Sequence, residues 1–281
     1  MSFEELLKLA QEENIVAQAQ LGANYLFGNG TSQDSEKAVY WLTKAAEQGD
    51  AFAQFNLGRS YADDTGMTGV EKNIEKAIYW YTKAADQGDA GAQNNLAGLY
   101  TNGTDMPQNL AKAVYWLTKA AENGHANAQY TLGLFYDKGN GVPQDYEKSF
   151  AWYAKAAEQG HAKAQFEVGY SFNHGMGTSQ DLDKAIYWYT QSAQLGCDNA
   201  QHNLAQFYAE GIGVPQDLDK AVSLWSKAAE QGYSFSQFNL GVACYNGVGV
   251  PQDIDKAVYW WSKAAELGNE DAKQILAQIL E

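Results

Sequence analysis

A block of roughly 36 residues returns along the whole of this chain, and no other feature constrains the fold as strongly. Aligned on the glycine that follows each KAAE-like run, the copies register at Gly49, Gly88, Gly124, Gly160, Gly196, Gly232 and Gly268. The first interval is 39 residues and every later one is 36, the three extra residues falling around Ala62 to Val70. A unit this short cannot bury an apolar face alone, so copies must stack and the array grows lengthwise. The reading is one repeat domain over residues 1–281: a half-repeat cap at 1–13, seven helix-pair repeats at 14–268 and a capping helix at 269–281. The first cap is legible because Lys8, Leu9 and Ala10 stand 36 residues before Lys44, Ala45 and Ala46.

Each unit reads as two helices, A and B. In helix A a small residue (Ala17, Ala53, Ala92, Ala128, Ala164, Ala200, Ser236, Ala272) stands four before a leucine-like one (Leu21, Leu57, Leu96, Leu132, Val168, Leu204, Leu240, Leu276). Four residues further on comes an aromatic: Tyr25, Tyr61, Tyr100, Tyr136, Phe172 or Tyr208. That spacing places all three on one apolar stripe. Gly22, Gly58, Gly133, Gly169 and Gly241 follow the leucine-like position directly. Glycine inside a helix costs roughly 1 kcal/mol against alanine. Its return there marks a close approach by another helix. Helix B carries Trp41, Trp80, Trp116, Trp152, Trp188 and Trp260 in one column, and Leu42, Tyr81, Leu117, Tyr153, Tyr189, Trp225 and Trp261 in the next. These aromatics read as packing between helices rather than as a ligand cage.

The loop from A to B is punctuated by Gly28, Gly103, Gly139, Gly175, Gly211 and Gly247, which suit the left-handed end of a helix. Asp34, Asn73, Asn109, Asp145, Asp181, Asp217 and Asp253 then suit the N-cap of helix B. His125 and His161 stand at equivalent starts of helix A, where Asp50 and Asp89 also occur, and read as caps. The GxG runs at Gly139–Gly141 and Gly211–Gly213 follow helices and lack the Lys-Ser/Thr ending of a phosphate loop.

The formal charge of −15 argues against nucleic acid and anionic membrane as partners. Arg59 is the single arginine. No apolar run is long enough to cross a bilayer. Cys197 and Cys244 occupy different places in their repeats, which suggests no disulfide framework. With an acidic first helix in place of a basic and apolar leader, this gives a cytoplasmic expectation. No nucleophile–base–acid set, cofactor motif or metal-ligand spacing emerges. The one pair that sustains a hydrolytic alternative is Glu167 with His202, which share the inner face of helix A by register.

Together these residues spell A-x-x-x-L-G-x-x-Y-x-x-G-x-G-V-P-x-D-x-x-K-A-x-x-W-Y-x-K-A-A-x-x-G. The chain resembles the Sel-like repeat family, a branch of the tetratricopeptide-type solenoids, over residues 3–281. The departures are the second-repeat loop ADDTGMTGVEKN, Leu224 in the tryptophan column and Cys244 in the aromatic one. The resemblance implies an all-α, right-handed superhelical solenoid of antiparallel helix pairs, with A helices on the concave face. It also implies a non-enzymatic adaptor or scaffold for a protein or extended peptide. The cysteine pairs of penicillin-binding relatives are absent, and that activity is not carried over.

With A helices lining the groove, the partner-facing residues are Phe52, Phe55, Asn56, Arg59, Asn95, Tyr130, Thr131, Phe166, Glu167, Tyr170, Asn199, His202, Asn203, Gln206, Phe238 and Asn239. An asparagine amide can pair with both N–H and C=O of a ligand backbone, and flanking aromatics offer apolar pockets. The same aromatic–asparagine recurrence also suits a tie between neighbouring helices. Arg59, Glu167, Tyr170 and His202 break the repeat pattern and are the specificity candidates. The charge leaves open an acidic, immunity-type neutraliser of a basic partner.

Overall fold

The computed structural model describes residues 2–63 and 68–280. The middle of the inserted second-repeat loop, residues 64–67, lies outside the described residues. Among the described residues the chain is all-α. Helix α1 (Phe3–Gln11) comes first and packs on α2. The A helices are α2 (Ile15–Phe27), α4 (Ala51–Ala62), α6 (Ala90–Asn102), α8 (Ala126–Lys138), α10 (Ala162–His174), α12 (Asp198–Glu210) and α14 (Ser234–Asn246). The B helices are α3 (Ser35–Glu47), α5 (Ile74–Asp86), α7 (Leu110–Glu122), α9 (Tyr146–Glu158), α11 (Leu182–Gln194), α13 (Leu218–Glu230) and α15 (Ile254–Glu266), and α16 (Glu270–Leu280) follows them.

The helices pack as two compact units, Met1–Gln144 and Asp145–Glu281. In the first, α2 packs on α3, α4 on α5 and α6 on α7, while α2, α4 and α6 lie side by side. In the second, α10 packs on α11, α12 on α13 and α14 on α15, with α16 against α15.

The helix ends follow the sequence chemistry. Asp34, Asn73, Asn109, Asp145, Asp181, Asp217 and Asp253 each accept a bond from the backbone N–H three residues on. At five of them the lysine at that third position turns back onto the aspartate, from Lys37–Asp34 at 2.9 Å to Lys256–Asp253 at 3.2 Å. His125 and His161 cap α8 and α10 through Nδ1. The glycines of the A–B loops end their helices in the left-handed region, Gly139 at φ 70° for example.

Gly22, Gly58, Gly169 and Gly241, each directly after the leucine-like residue, face a bulky side chain of helix B in the same repeat. A Cβ on Gly22 would meet Leu42 Cγ at 2.6 Å, and one on Gly241 would meet Trp261 at 2.5 Å. Heavy packing therefore sits in the second B column: Leu42, Tyr81, Leu117, Tyr153, Tyr189 and Trp261 are all buried. The tryptophan column beside it is less enclosed than its size suggests. Trp41 and Trp80 are buried, whereas Trp116, Trp152, Trp188 and Trp260 are half-buried. Exposed tyrosines stand edge-on against that column, as in Tyr79–Trp80 with centroids 4.8 Å apart.

A buried glutamine column, invisible to hydrophobic patterning, ties successive helices together. Gln18, Gln54, Gln93, Gln165, Gln201 and Gln237 each donate Nε2 to a backbone carbonyl eight residues earlier, at 2.9–3.2 Å. The Oε1 atoms of four of them accept in turn from the end of the next B helix: Gln48 to Gln18 at 2.9 Å, Gln87 to Gln54 at 2.8 Å, Asn123 to Gln93 at 3.0 Å and Gln231 to Gln201 at 2.9 Å.

Candidate functional site

Helix A turns its small and leucine-like residues, its glutamine and its tightly packed glycine inward, which leaves a narrow set of positions to solvent. The stripe that solvent reaches runs through the residues five before the leucine-like position and two and six after it, while the residue one before is half-buried in most repeats and buried at Asn56. In α4 Phe52 and Arg59 are exposed and Asp63, at the helix end, is half-buried; in α10 Lys163, Tyr170 and His174 are exposed. Phe52 is 49 % exposed, Tyr170 37 % and Phe235 57 %. Gln206 and Arg59 are exposed, while Phe55, Tyr130, Thr131, Phe166, Glu167, Asn199, Phe238 and Asn239 are half-buried.

The asparagine row expected to hold a ligand backbone is largely engaged within the fold. Asn95 donates to the hydroxyl of Tyr81 at 3.1 Å, and Asn203 to that of Tyr189 at 3.2 Å. In both pairs the tyrosine stands 14 residues earlier, in the second column of the preceding B helix. Burial pushes the Tyr81 phenol up to about 12, against a lowering by the Asn95 bond. At Asn56 the residue 14 earlier is Leu42, which has no hydroxyl. Asn56 is accordingly buried and donates to the Phe52 carbonyl at 2.8 Å. Thr131 bonds the Asn127 carbonyl in the same manner. Asn239, 14 residues after Trp225, is left without a side-chain hydrogen bond among the described residues.

His202 is likewise corrected as a groove residue: it is buried, at 7 % exposure. Its Nδ1 lies 2.9 Å from Ser236 Oγ, and its ring stands 5.0 Å from that of Tyr233. Desolvation holds its pKa down to about 4, so the imidazole is neutral near pH 7. The fully buried Ser236, not Glu167, is the partner of the ring. No group of three or more His, Cys, Asp or Glu side chains with metal-binding placement occurs among the described residues.

Two clefts open on the A-helix faces. In the first unit a cleft of about 590 Å³ is lined by Phe27, Arg59, Tyr81, Asn94, Asn95, Gly98 and Asn102, among others. The Arg59 guanidinium lies over the Phe27 ring, 5.1 Å from its centroid. Phe27 and Asn102, six after the leucine-like position, were not among the expected site residues; they close the helical stripe one turn further on. In the second unit a cleft of about 340 Å³ is lined by Gln206, Glu210, Trp225, Asn239, Val242 and Asn246, among others. Trp225 Nε1 is buried there without a partner, whereas the equivalent Trp261 Nε1 donates to the Phe238 carbonyl at 3.2 Å. The helix-A neighbour is Gly241 for Trp261 and, by register, Ala205 for Trp225.

Paired helices returning at a 36-residue period, each pair locked by the same caps and the same glutamine, define an α-solenoid repeat protein. The Sel1 repeat matches seven times in succession, over residues 15–50, 51–89, 90–125, 126–161, 162–197, 198–233 and 234–269. The chain belongs to the Sel1 repeat family. Among solved structures it is similar to a protective antigen present in uropathogenic Escherichia coli strains, which displays the same fold, with 37% sequence identity and a TM-score of 0.92. That similarity covers 99% of this chain and 59% of the antigen. A Sel1 repeat protein from Oxalobacter formigenes matches at 37% identity and a TM-score of 0.79, over 99% of this chain and 79% of the other. Among the described residues no helix is long and apolar enough to cross a membrane.

Proposed function

We propose that the chain is a non-enzymatic interaction scaffold, holding a partner protein or an extended peptide segment against the exposed stripe of its A helices. The observation that carries this is the exposed aromatic set on that stripe: Phe52, Tyr170 and Phe235 stand 37–57 % open to water. Large rings left in water on an otherwise packed helix are binding anchors, since covering them releases apolar area at little rotamer cost. Membership of the Sel1 repeat family supports the same role. With Asn56, Asn95 and Asn203 engaged inside the fold, the ligand-facing set narrows to Phe52, Phe55, Arg59, Tyr130, Thr131, Phe166, Glu167, Tyr170, Asn199, Gln206, Phe238 and Asn239.

The test is affinity capture followed by mass spectrometry, run with the chain and with a Phe52→Ser, Tyr170→Ser, Gln206→Ala variant. The scaffold reading expects the variant to lose the captured protein while its helicity and thermal midpoint stay within a few degrees. Undiminished capture by the variant sinks it. The charge of −15 favours a second reading, a neutraliser of a basic partner. Capture that weakens steeply between roughly 0.05 and 0.5 M salt supports the neutraliser; salt-insensitive capture supports the aromatic stripe.

A further inference from the structure

We propose that the cleft of the second unit seats a basic side chain, lysine or arginine, of the partner segment. This rests on the reading that the A-helix stripe binds an extended segment, and it names what one position of that segment carries. The cleft exists because an indole is denied its seat. Tyr81, Tyr189 and Trp261 each pack against a glycine of helix A, and a Cβ on Gly241 would stand 2.5 Å from the Trp261 ring. Trp225 meets Ala205 by register, so a methyl occupies the place its ring would take. Trp261 is 2 % exposed with its N–H on the Phe238 carbonyl. Trp225 is half-buried, and its N–H has no partner. Asn239, 14 residues on, finds no hydroxyl of the kind that engages Asn95 and Asn203. The displaced ring and the released amide line the cleft together with Gln206 and Asn246.

Among the residues lining this cleft, Glu210 is the one ionisable group. It is exposed and has no ion pair among the described residues. It is also the last residue of α12, where the helix dipole disfavours an anion. The same position carries Lys138 in α8 and His174 in α10. No group of the fold offsets that placement, whereas a cation brought by the partner does. A carboxylate occupant would instead face Glu210 in a chain of net charge −15. The aliphatic stem of a lysine or arginine suits the walls made by Leu218, Val242 and Val248. Its head can meet Glu210, and the amide oxygens of Asn239 and Asn246 can accept the remaining N–H groups. The half-buried indole favours the same charge through its π-face.

Trp225 reports on the seat: in a ¹⁵N-labelled chain its indole cross-peak is the one lost in Trp225→Phe. The probe is an acetylated, amidated peptide of alternating serine and leucine with one central lysine. Its counterpart carries norleucine, which keeps the stem and drops the charge. Saturable movement of the Trp225 cross-peak is expected with the lysine peptide. The norleucine peptide is expected to bind about tenfold more weakly, having lost an ion pair and a cation–π contact together. Glu210→Gln, at an exposed position that spares the fold, should weaken the lysine peptide about threefold and leave the norleucine peptide unchanged. Glu230→Gln removes the same charge from the exposed far end of α13 and should change neither. Equal binding of the two peptides overturns the proposal, as does lysine binding unaffected by Glu210→Gln. Equal weakening by Glu210→Gln and Glu230→Gln overturns it by assigning the attraction to the charge of the whole chain. Lysine-dependent binding that leaves the Trp225 cross-peak unmoved also overturns it, by placing the cation elsewhere. If neither peptide binds while partner capture is still lost in the Phe52/Tyr170/Gln206 variant, the seat falls and the scaffold reading stands.

Discussion

Gln231 donates its side-chain amide to the buried Oε1 of Gln201 at 2.9 Å, joining residues 30 apart in sequence. Where the donor position is leucine, at Leu195 and Leu267, the matching acceptors Gln165 Oε1 and Gln237 Oε1 are buried without a partner. Those two leucines are also more than half exposed, at 55 % and 57 %. An unpaired buried acceptor costs about 1–3 kcal/mol, so Leu195→Gln and Leu267→Gln should each stabilise the protein by about 1 kcal/mol. Urea midpoints measure this; a decrease in either variant contradicts the assignment. The reverse change, Gln231→Leu, should cost a similar amount.

The tie between Asn203 and Tyr189 makes the asparagine structural. Removing the amide takes one of two asparagine partners, Asn203 and Asn173, from the phenol of a residue that is 0 % exposed, and Asn203→Ala should cost about 1 kcal/mol. In the Tyr189→Phe background the same change should cost markedly less. A double-mutant cycle with no coupling returns Asn203 to the list of free groove residues.

Glycines one column apart should respond with opposite signs. Gly241→Ala drives a methyl into the Trp261 indole, 2.5 Å away, and should cost about 1–3 kcal/mol. Gly98→Ala meets open space in mid-helix and should gain up to about 1 kcal/mol from helix propensity. Thermal unfolding of the two variants decides both.

His202 gives stability a pH dependence of defined sign. Its folded pKa, about 4, lies below the ordinary 6.5 because of desolvation. The unfolded chain therefore binds the proton more readily, and stability is lost as pH falls through 6.5 towards 4. At about 1.4 kcal/mol per unit, the full loss is on the order of 3 kcal/mol. Desolvation also lowers His125 and His161, which add smaller terms of the same sign. The N-cap aspartates, held below their ordinary 3.8, act only at more acid pH. Denaturant unfolding from pH 7 to 4.5 should show a slope that flattens in His202→Gln; an unchanged slope contradicts the burial argument.

The repeat, the caps and the left-handed glycines were legible because each is written within a few residues of the backbone group it serves. Asp217 and the Lys220 N–H are three positions apart, and Gly139 ends the helix it follows. The availability of the A-helix polar residues was not legible. Whether an asparagine is free depends on a residue 14 earlier on another helix: tyrosine engages Asn95 and Asn203, while leucine turns Asn56 back onto its own helix. The glutamine column left a trace in the Ala-Gln dipeptide of almost every repeat, a polar residue beside an invariably buried one. Apolar periodicity does not register it, since its partner lies 30 or 33 residues on. The cleft around Arg59 was visible only as a break in pattern, because its depth comes from Gly98 and from Phe27 one helix away.

Hydroxyl-radical footprinting of the chain, alone and with its captured partner, tests most directly which face does the binding. Phe52, Tyr170 and Phe235 on A helices and Tyr40, Tyr79, Tyr187 and Tyr259 on B helices are all reactive and 37–57 % exposed, so the two faces report on an equal footing. The scaffold account predicts protection of the first set with the B-helix tyrosines unchanged. Protection of the B-helix tyrosines, with Phe52, Tyr170 and Phe235 still open to oxidation, contradicts it.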